Sequence, residues 1–174
     1  MPPHPTERSA TAASAPSPAP PALLELESFL PYRLNVLAET VSQGLAGVYR
    51  RRYGIAVPEW RILATLGQFG TMTAKDIGLH SRMHKTKVSR AAAALESRRL
   101  IVRNANAADL RESFLELTRQ GRDIYEALVP EARDFVEALL GGLTEGERAT
   151  LDGLIERLTL RAADLNADLS TARR

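Results

Sequence analysis

Cysteine is absent from the 174 residues. Disulfides, thiol redox sensing and thiolate metal sites are therefore excluded. Aromatic residues make up 5% of the chain, so Leu, Ala and Val must fill the core, and a hydrophobic content of 44% is enough for one. No apolar run approaches the roughly 18 residues that a membrane-spanning helix needs. The N-terminus has no hydrophobic signal core, which predicts a cytoplasmic protein. There are three histidines: His4 near the N-terminus, and His80 and His84 close together. A glycine-rich phosphate loop, an H-E-x-x-H pair and a paired-carboxylate arrangement are all missing, so neither an enzyme nor a cofactor is expected.

What is present centres on Thr73 to Glu116. The segment Thr73-Ala74-Lys75-Asp76-Ile77-Gly78-Leu79 reads as a short helix, with Thr73 as N-cap and Asp76 completing a capping-box-like pair. A polar turn, His80-Ser81-Arg82-Met83, leads into a second helix from His84 to Glu96. Within it Val88, Ala91 and Leu95 fall at i, i+3 and i+7 and define a buried face. Thr86, Lys87 and Arg90 lie on roughly the opposite face. Two short apolar runs follow, Leu100-Ile101-Val102 and Phe114-Leu115-Glu116-Leu117, separated by a polar loop that ends Asp109-Leu110-Arg111. Helix, turn, helix and β-hairpin in that order make a winged helix-turn-helix, a module that reads DNA. The fold class expected is mainly α with a small β-hairpin wing and a helical dimerisation region.

Charge is distributed to match. From Lys75 to Arg111 there are nine basic and three acidic residues, a balance of +6, while the rest of the chain carries −4. The overall +2 thus hides a basic module on an acidic body, the footprint of a nucleic-acid binder.

Asp109-Leu110-Arg111, the strand Ser113-Phe114-Leu115-Glu116 and then Leu117-Thr118-Arg119-Gln120-Gly121 resemble the wing-to-helix signature of the MarR family of bacterial transcription regulators: D-x-R, a strand, then L-T-x-x-G. Lys87-Val88-Ser89-Arg90 with Leu95-Glu96 and Leu100-Ile101 resemble that family's recognition helix and second strand. The resemblance spans about Leu23 to Leu165. One departure is His84, where many members open the helix with an acidic or small residue.

Outside the module, Met1 to Pro21 hold seven of the ten prolines and are expected to form a disordered arm. From Tyr32 to Tyr53, Leu34, Leu37, Val41, Leu45 and Val48 recur at spacings of three or four, a stripe of the kind helices bury against each other. Gly44 and Gly47 would allow a neighbour to approach. Pro58 and Glu59 open a helix to Gln68, and Thr71-Met72 are placed to add a strand to the hairpin. Thr118 is an N-cap for a helix to about Leu140, which Pro130 should kink or split. Thr144-Glu145-Gly146-Glu147 is a capping box for a last helix bearing Leu151, Leu154, Ile155, Leu158 and Leu165. The boundaries expected are an arm at 1–21, a dimerisation helix at 22–56, the DNA-binding domain at 57–117 and dimerisation helices at 118–174. Apolar stripes beyond the needs of the reading module predict a homodimer on a pseudo-palindromic operator, its reading helices about 34 Å apart.

The expected roles follow. Thr86, Lys87 and Arg90 enter the major groove of double-stranded DNA, and Arg90 suits a bidentate contact to guanine. Lys85, Ser89 and Arg82 suit phosphates, with Ser81 and Thr73 adding nearby hydrogen bonds. The family resemblance implies that Arg111 reaches the minor groove, with Asp109 orienting it or shaping the turn. It also implies a small-molecule effector, an aromatic carboxylate or acyl-CoA, and a repressor acting on the nucleoid. Tyr32, Arg33, Trp60, Arg61 and Met72 are candidates to line its site: the arginines for a carboxylate, Trp60 for a ring. Core packing for Trp60 and Met72 and a surface position for the arginines is the alternative. Two other classes remain: a metal-responsive regulator using His80 and His84, and a protein-interaction dimer that ignores DNA.

Overall fold

In the computed structural model, residues 23–105 and 113–172 are described. The order of elements is α1 (Leu30–Tyr53), α2 (Val57–Phe69), β1 (Met72–Thr73), α3 (Ala74–Ser81), α4 (Lys85–Ser97), β2 (Ile101–Ala105), β3 (Ser113–Leu117), α5 (Arg119–Leu140) and α6 (Glu145–Thr171). The chain is mainly helical, with a small antiparallel sheet of order β1-β3-β2. It divides into two compact units, Met1–Leu37 and Ala38–Arg174. In the first, the described part is a turn, where the Phe29 N–H donates to the Leu26 carbonyl at 3.1 Å, and the opening of α1. Its large apolar residues, Leu23 to Leu37, are exposed.

The second unit holds the core. Ile62, Leu63 and Leu66 of α2, Ile77 of α3, Val88, Ala92 and Leu95 of α4, Leu100, Leu115 of β3 and Leu128 of α5 are all buried. Helices α2 to α6 each begin where the sequence supplies a capping acceptor. The Glu59 carboxylate accepts the Ala56 N–H at 2.8 Å ahead of α2. The Thr73 hydroxyl accepts the Asp76 N–H at 3.2 Å and donates to its carboxylate at 2.7 Å. At α6 the box closes: the Glu147 carboxylate accepts the Thr144 N–H and hydroxyl, both at 2.8 Å, and the Thr144 hydroxyl accepts the Glu147 N–H at 3.3 Å. Those bonds, the backbone one foremost, hold the Glu147 carboxyl below the usual carboxylate range.

Two expectations change in detail. The added strand is Met72–Thr73, pairing with Leu115 and Phe114. Pro130 does not split α5, which runs unbroken from Arg119 to Leu140. Glu126 and Pro130 are both exposed, so the carbonyl that loses its donor is left to water rather than to the core. Gly44 does admit a neighbour, and it is the Phe135 ring of α5: a Cβ there would stand 2.9 Å from it.

The tightest joint ties the wing to α5. The Leu100 carbonyl accepts the Thr118 N–H at 3.1 Å and its hydroxyl at 3.2 Å, and that hydroxyl also donates to the Arg99 carbonyl at 2.8 Å. The same oxygen, Thr118 Oγ1, accepts the Gly121 N–H at 3.1 Å, which caps α5. The first turn of α5 is thereby pressed onto Leu100, and a Cβ at Gly121 would lie 1.9 Å from the Leu100 oxygen. Backbone stands on both sides of that contact, so neither can swing away. Gly121→Ala is expected to cost about 3 kcal/mol in urea unfolding; a variant as stable as the parent contradicts this packing.

Candidate nucleic-acid interface

The reading surface starts from a turn in a left-handed conformation. Arg82 caps α3 at φ 54° and ψ 37°, its N–H donating to the Gly78 carbonyl, while the Met83 N–H reaches the same oxygen at 3.0 Å. A non-glycine residue there carries a conformational cost of about 1 kcal/mol, offset by burial of Met83 between the helices. His84 then opens α4 as N-cap, its Nδ1 accepting the Thr86 N–H at 3.4 Å. The residue that departs from the family pattern therefore still supplies an acceptor at the helix start.

From that start α4 is two-faced. Val88, Ala91, Ala92 and Leu95 are buried. Lys85, Thr86, Lys87, Ser89 and Arg90 are all exposed, as is Arg82, while Ser81 is half-buried and Thr73 buried. Among the described residues no carboxylate pairs with Lys75, Arg82, Lys85, Lys87 or Arg90. Unneutralised cations beside the positive end of a helix dipole make a surface suited to phosphate oxygens. Asp109 and Arg111 lie outside the described residues.

Two cations of the basic stretch are occupied otherwise. Arg103 on β2 donates through Nε and Nη2 to the two Glu96 carboxylate oxygens at 3.1 and 2.9 Å, and through Nη1 to the Ser113 hydroxyl at 2.9 Å. One guanidinium thus joins the recognition helix to both strands of the wing. Its hydrogen bond to Glu96 holds it above the ordinary arginine range. Arg98, just past α4, donates to the Tyr53 carbonyl and, at 3.2 Å, to the Gly54 carbonyl, with the Glu59 carboxylate 3.7 Å away. It clasps the α1–α2 junction to the end of the reading helix. Neither role has a sequence signal: Glu96 and Arg103 are seven apart across a helix end and a turn, and Arg98 reaches back over forty residues.

The candidate effector residues fall in both units. Tyr32 and Arg33 are exposed in the opening turns of α1, within the first unit. In the second, Trp60 stands between two rings, Tyr49 at 5.4 Å and Tyr125 at 6.4 Å, both stacked. Arg61 donates to the Ser42 hydroxyl at 3.4 Å. Met72 is half-buried in β1 against the core. The Tyr49–Trp60–Tyr125 stack joins α1, α2 and α5, and burial raises the Tyr49 hydroxyl above the ordinary tyrosine range despite the nearby Arg50 and Arg61 charges. His80 packs its ring on Phe69 at 4.5 Å.

The chain thus presents a capped, two-faced helix after a tight turn, with a three-stranded sheet behind it. Residues 53–112 match the MarR family. The segment includes all of α2 to α4 and β2. No curated protein matches the chain. Among solved structures, a MarR/EmrR family transcriptional regulator from Acinetobacter sp. ADP1 is 25% identical with a TM-score of 0.73, over 81% of this chain and 99% of that one. A MarR family regulator from Silicibacter pomeroyi is 29% identical with a TM-score of 0.65, over 78% and 98%. NadR in complex with 4-hydroxyphenylacetate is 22% identical with a TM-score of 0.65, over 79% and 96%, and shares the fold. The fold of this chain matches that of winged-helix MarR-type regulators, and its structural neighbours are transcriptional regulators.

The Arg103 latch makes a measurable claim on that MarR-type wing. Both partners are partly exposed, so the pair should add only about 0.5–1 kcal/mol to stability. Glu96→Gln should therefore leave the melting temperature nearly unchanged yet weaken specific DNA binding about 3- to 10-fold through a mis-aimed wing. The exchange Glu96→Arg with Arg103→Glu should restore much of the loss. No recovery in the exchanged pair would show that the ion pair does not set the wing.

Proposed function

We propose that this chain is a ligand-responsive, DNA-binding transcriptional regulator. It acts as a homodimeric repressor, released from a pseudo-palindromic operator by a small aromatic acid or its CoA thioester. The observation that carries the DNA-binding part is the exposed, unpaired Thr86–Arg90 face on a helix whose other side is core. Thr86, Lys87 and Arg90 read base edges, while Lys85, Ser89 and Arg82 hold phosphates. The bound 4-hydroxyphenylacetate of NadR, a protein of the same fold, supports an aromatic-acid effector. On the present chain Arg61, which donates to the Ser42 hydroxyl, is the proposed carboxylate partner in the second unit. An effector releases DNA to the extent that it favours the released geometry over the bound one.

The dimer rests on α6. It runs 27 residues and buries none of them. Leu151, Leu154, Ile155, Leu158, Leu165 and Leu169 form an apolar series along it, all exposed, with Ile155 at 55%. A helix carrying that stripe into water is poorly stable without a facing surface, and a second copy related by a two-fold axis supplies one.

Two measurements test the reading. In operator titrations Arg90→Ala should lose about 1–3 kcal/mol and relax base preference, whereas Lys85→Ala should weaken specific and random DNA alike. Equal losses for Arg90→Ala on both DNAs would refute the division of roles. In sedimentation the chain should run at twice its 19.0 kDa mass. Ile155→Asp, which places a charge in the proposed interface, should weaken that association by about 3 kcal/mol, roughly 100-fold. A parent protein that sediments as a single chain at micromolar concentration overturns the dimer.

A further inference from the structure

Two neighbouring residues fasten the far end of the recognition helix. The Leu100 carbonyl ties it to α5 through Thr118. Arg98, the C-cap of α4, ties it to the end of α1. Helix α1 stops at Gly54, which is left-handed at φ 58°. The Tyr53 and Gly54 carbonyls stand at that end, where a helix has no N–H of its own to offer and its dipole is negative. The Arg98 guanidinium donates to both, its Nη1 at 3.2 Å from the Gly54 oxygen. The Glu59 carboxylate, 3.7 Å from the same Nη1, accepts the Ala56 N–H at 2.8 Å and so fixes the start of α2. Among the described residues no other hydrogen bond joins residues 53–56 to α4 or its cap. Arg98 is about 20 Å from Lys85, the length of the 13-residue α4, and so beyond reach of the bases that the Thr86–Arg90 face reads. Its side chain is 36% exposed, so these bonds add little to global stability. Their effect is on direction. A joint at one point leaves a hinge, and a second bond to a different helix closes it. Over about 20 Å a swing of roughly 5° moves a reading end by about 1.7 Å, and two heads together by about one base-pair step.

We propose that Arg98 is a positioning residue that sets the half-site spacing this regulator accepts. The proposal rests on the reading of the chain as a homodimer on a pseudo-palindrome and deepens it. Arg98 touches no base; it holds the reading module at a fixed angle to α1, so two reading heads keep one separation. The fork of the guanidinium matters here. Two carbonyls on successive residues take two N–H groups of one planar group, which an ammonium on a flexible stem matches less rigidly. Without the fork the module remains joined to α5 at Leu100 and pivots there, and each head adapts to a half-site displaced by a base pair. The duplex must also twist to accept the new spacing, so the preference narrows rather than vanishes.

The test uses the full chain beside Arg98→Met and Arg98→Lys, each checked by thermal melting. The probe is a palindromic duplex of about 30 base pairs, selected from a random pool on the parent protein. Further versions carry one base pair more or fewer at the centre, and one version has a single half-site scrambled. The parent should bind its selected spacing at least about 10-fold more tightly than either altered one, the methionine variant only about 3-fold, and the lysine variant between them. On the scrambled duplex all three should bind alike, because the reading residues are untouched. A folded methionine variant that keeps the parent's spacing ratio overturns the positioning role. If that variant melts early, the lysine variant decides: a ratio equal to the parent's sinks the role, and a narrowed one supports it. Equal weakening on every duplex, restored by lysine, would make Arg98 a general charge and ends the proposal too. A parent that selects no duplex, or that ignores the spacer, overturns the dimeric reading and the role of Arg98 with it. A parent that discriminates beside variants that discriminate equally overturns the role of Arg98 alone.

Discussion

The Leu100 carbonyl is the point through which the reading head is attached to the rest of the protein. It accepts two hydrogen bonds from Thr118 and faces the bare Cα of Gly121. That single oxygen lies just after the recognition helix, at the root of the wing, and against the first turn of α5. A side chain at residue 121 would push these three elements apart together. The L-T-x-x-G run therefore has a physical content: Leu117 ends the strand beside Ile101, Thr118 caps the helix while gripping the preceding turn, and Gly121 lets backbone meet backbone. Orientation of α4 relative to the long helices is set here by short hydrogen bonds rather than by side-chain packing alone.

Electrostatics divides the basic residues by use. Arg103 and Arg98 are consumed in holding the wing and the α1–α2 junction against α4. Lys85, Lys87 and Arg90 are left exposed, with no carboxylate paired to them among the described residues. The net charge of the stretch gives no hint of that division. It matters because a phosphate contact depends on a cation that is free in solution, whereas a guanidinium already engaged by two carboxylate oxygens would have to be desolvated and re-paired. The wing is therefore held by charges that do not compete with the DNA they help to position.

Much of this was legible in the residues where the determining contacts are local. Thr73, Thr118 and Thr144 each cap a helix as their spacing predicts, because cap and partner sit three positions apart. The buried and exposed faces of α4 follow from the 3.6-residue period, and Ala92 joins the buried set. The Arg103 latch, the Arg98 clasp and the stack of Trp60 between Tyr49 and Tyr125 were not legible. Each joins residues from different elements, and no periodic pattern encodes which will meet. Trp60 illustrates the difference: the sequence leaves it open between a ring for a ligand and core packing, and only the fold shows Tyr49 and Tyr125 stacked on it. Pro130 reads as a kink or a split, and the split does not occur: a proline on the exposed side of a helix packed elsewhere along its length leaves only a solvated carbonyl.

α5 is fastened at three places along its length. Gly121 presses on Leu100, Tyr125 stacks on Trp60 and fills the space over Gly67, where a Cβ would stand 2.5 Å from its ring, and Phe135 fills the space over Gly44. These contacts fall on the wing root, on α2 and on α1 in turn. A packed helix held at such close contacts shifts as a unit or not at all, since interiors have discrete packings rather than a soft continuum. Any rearrangement of α1 or α5 must therefore be passed to α2 and to the base of the recognition helix. For a dimer clasped through its long helices, that rigidity is what would convert a change at the helices into a change in spacing between two reading heads. The flexible alternative, a reading head on a loose tether, is incompatible with a backbone carbonyl, three glycines and three aromatic rings in close contact along one helix.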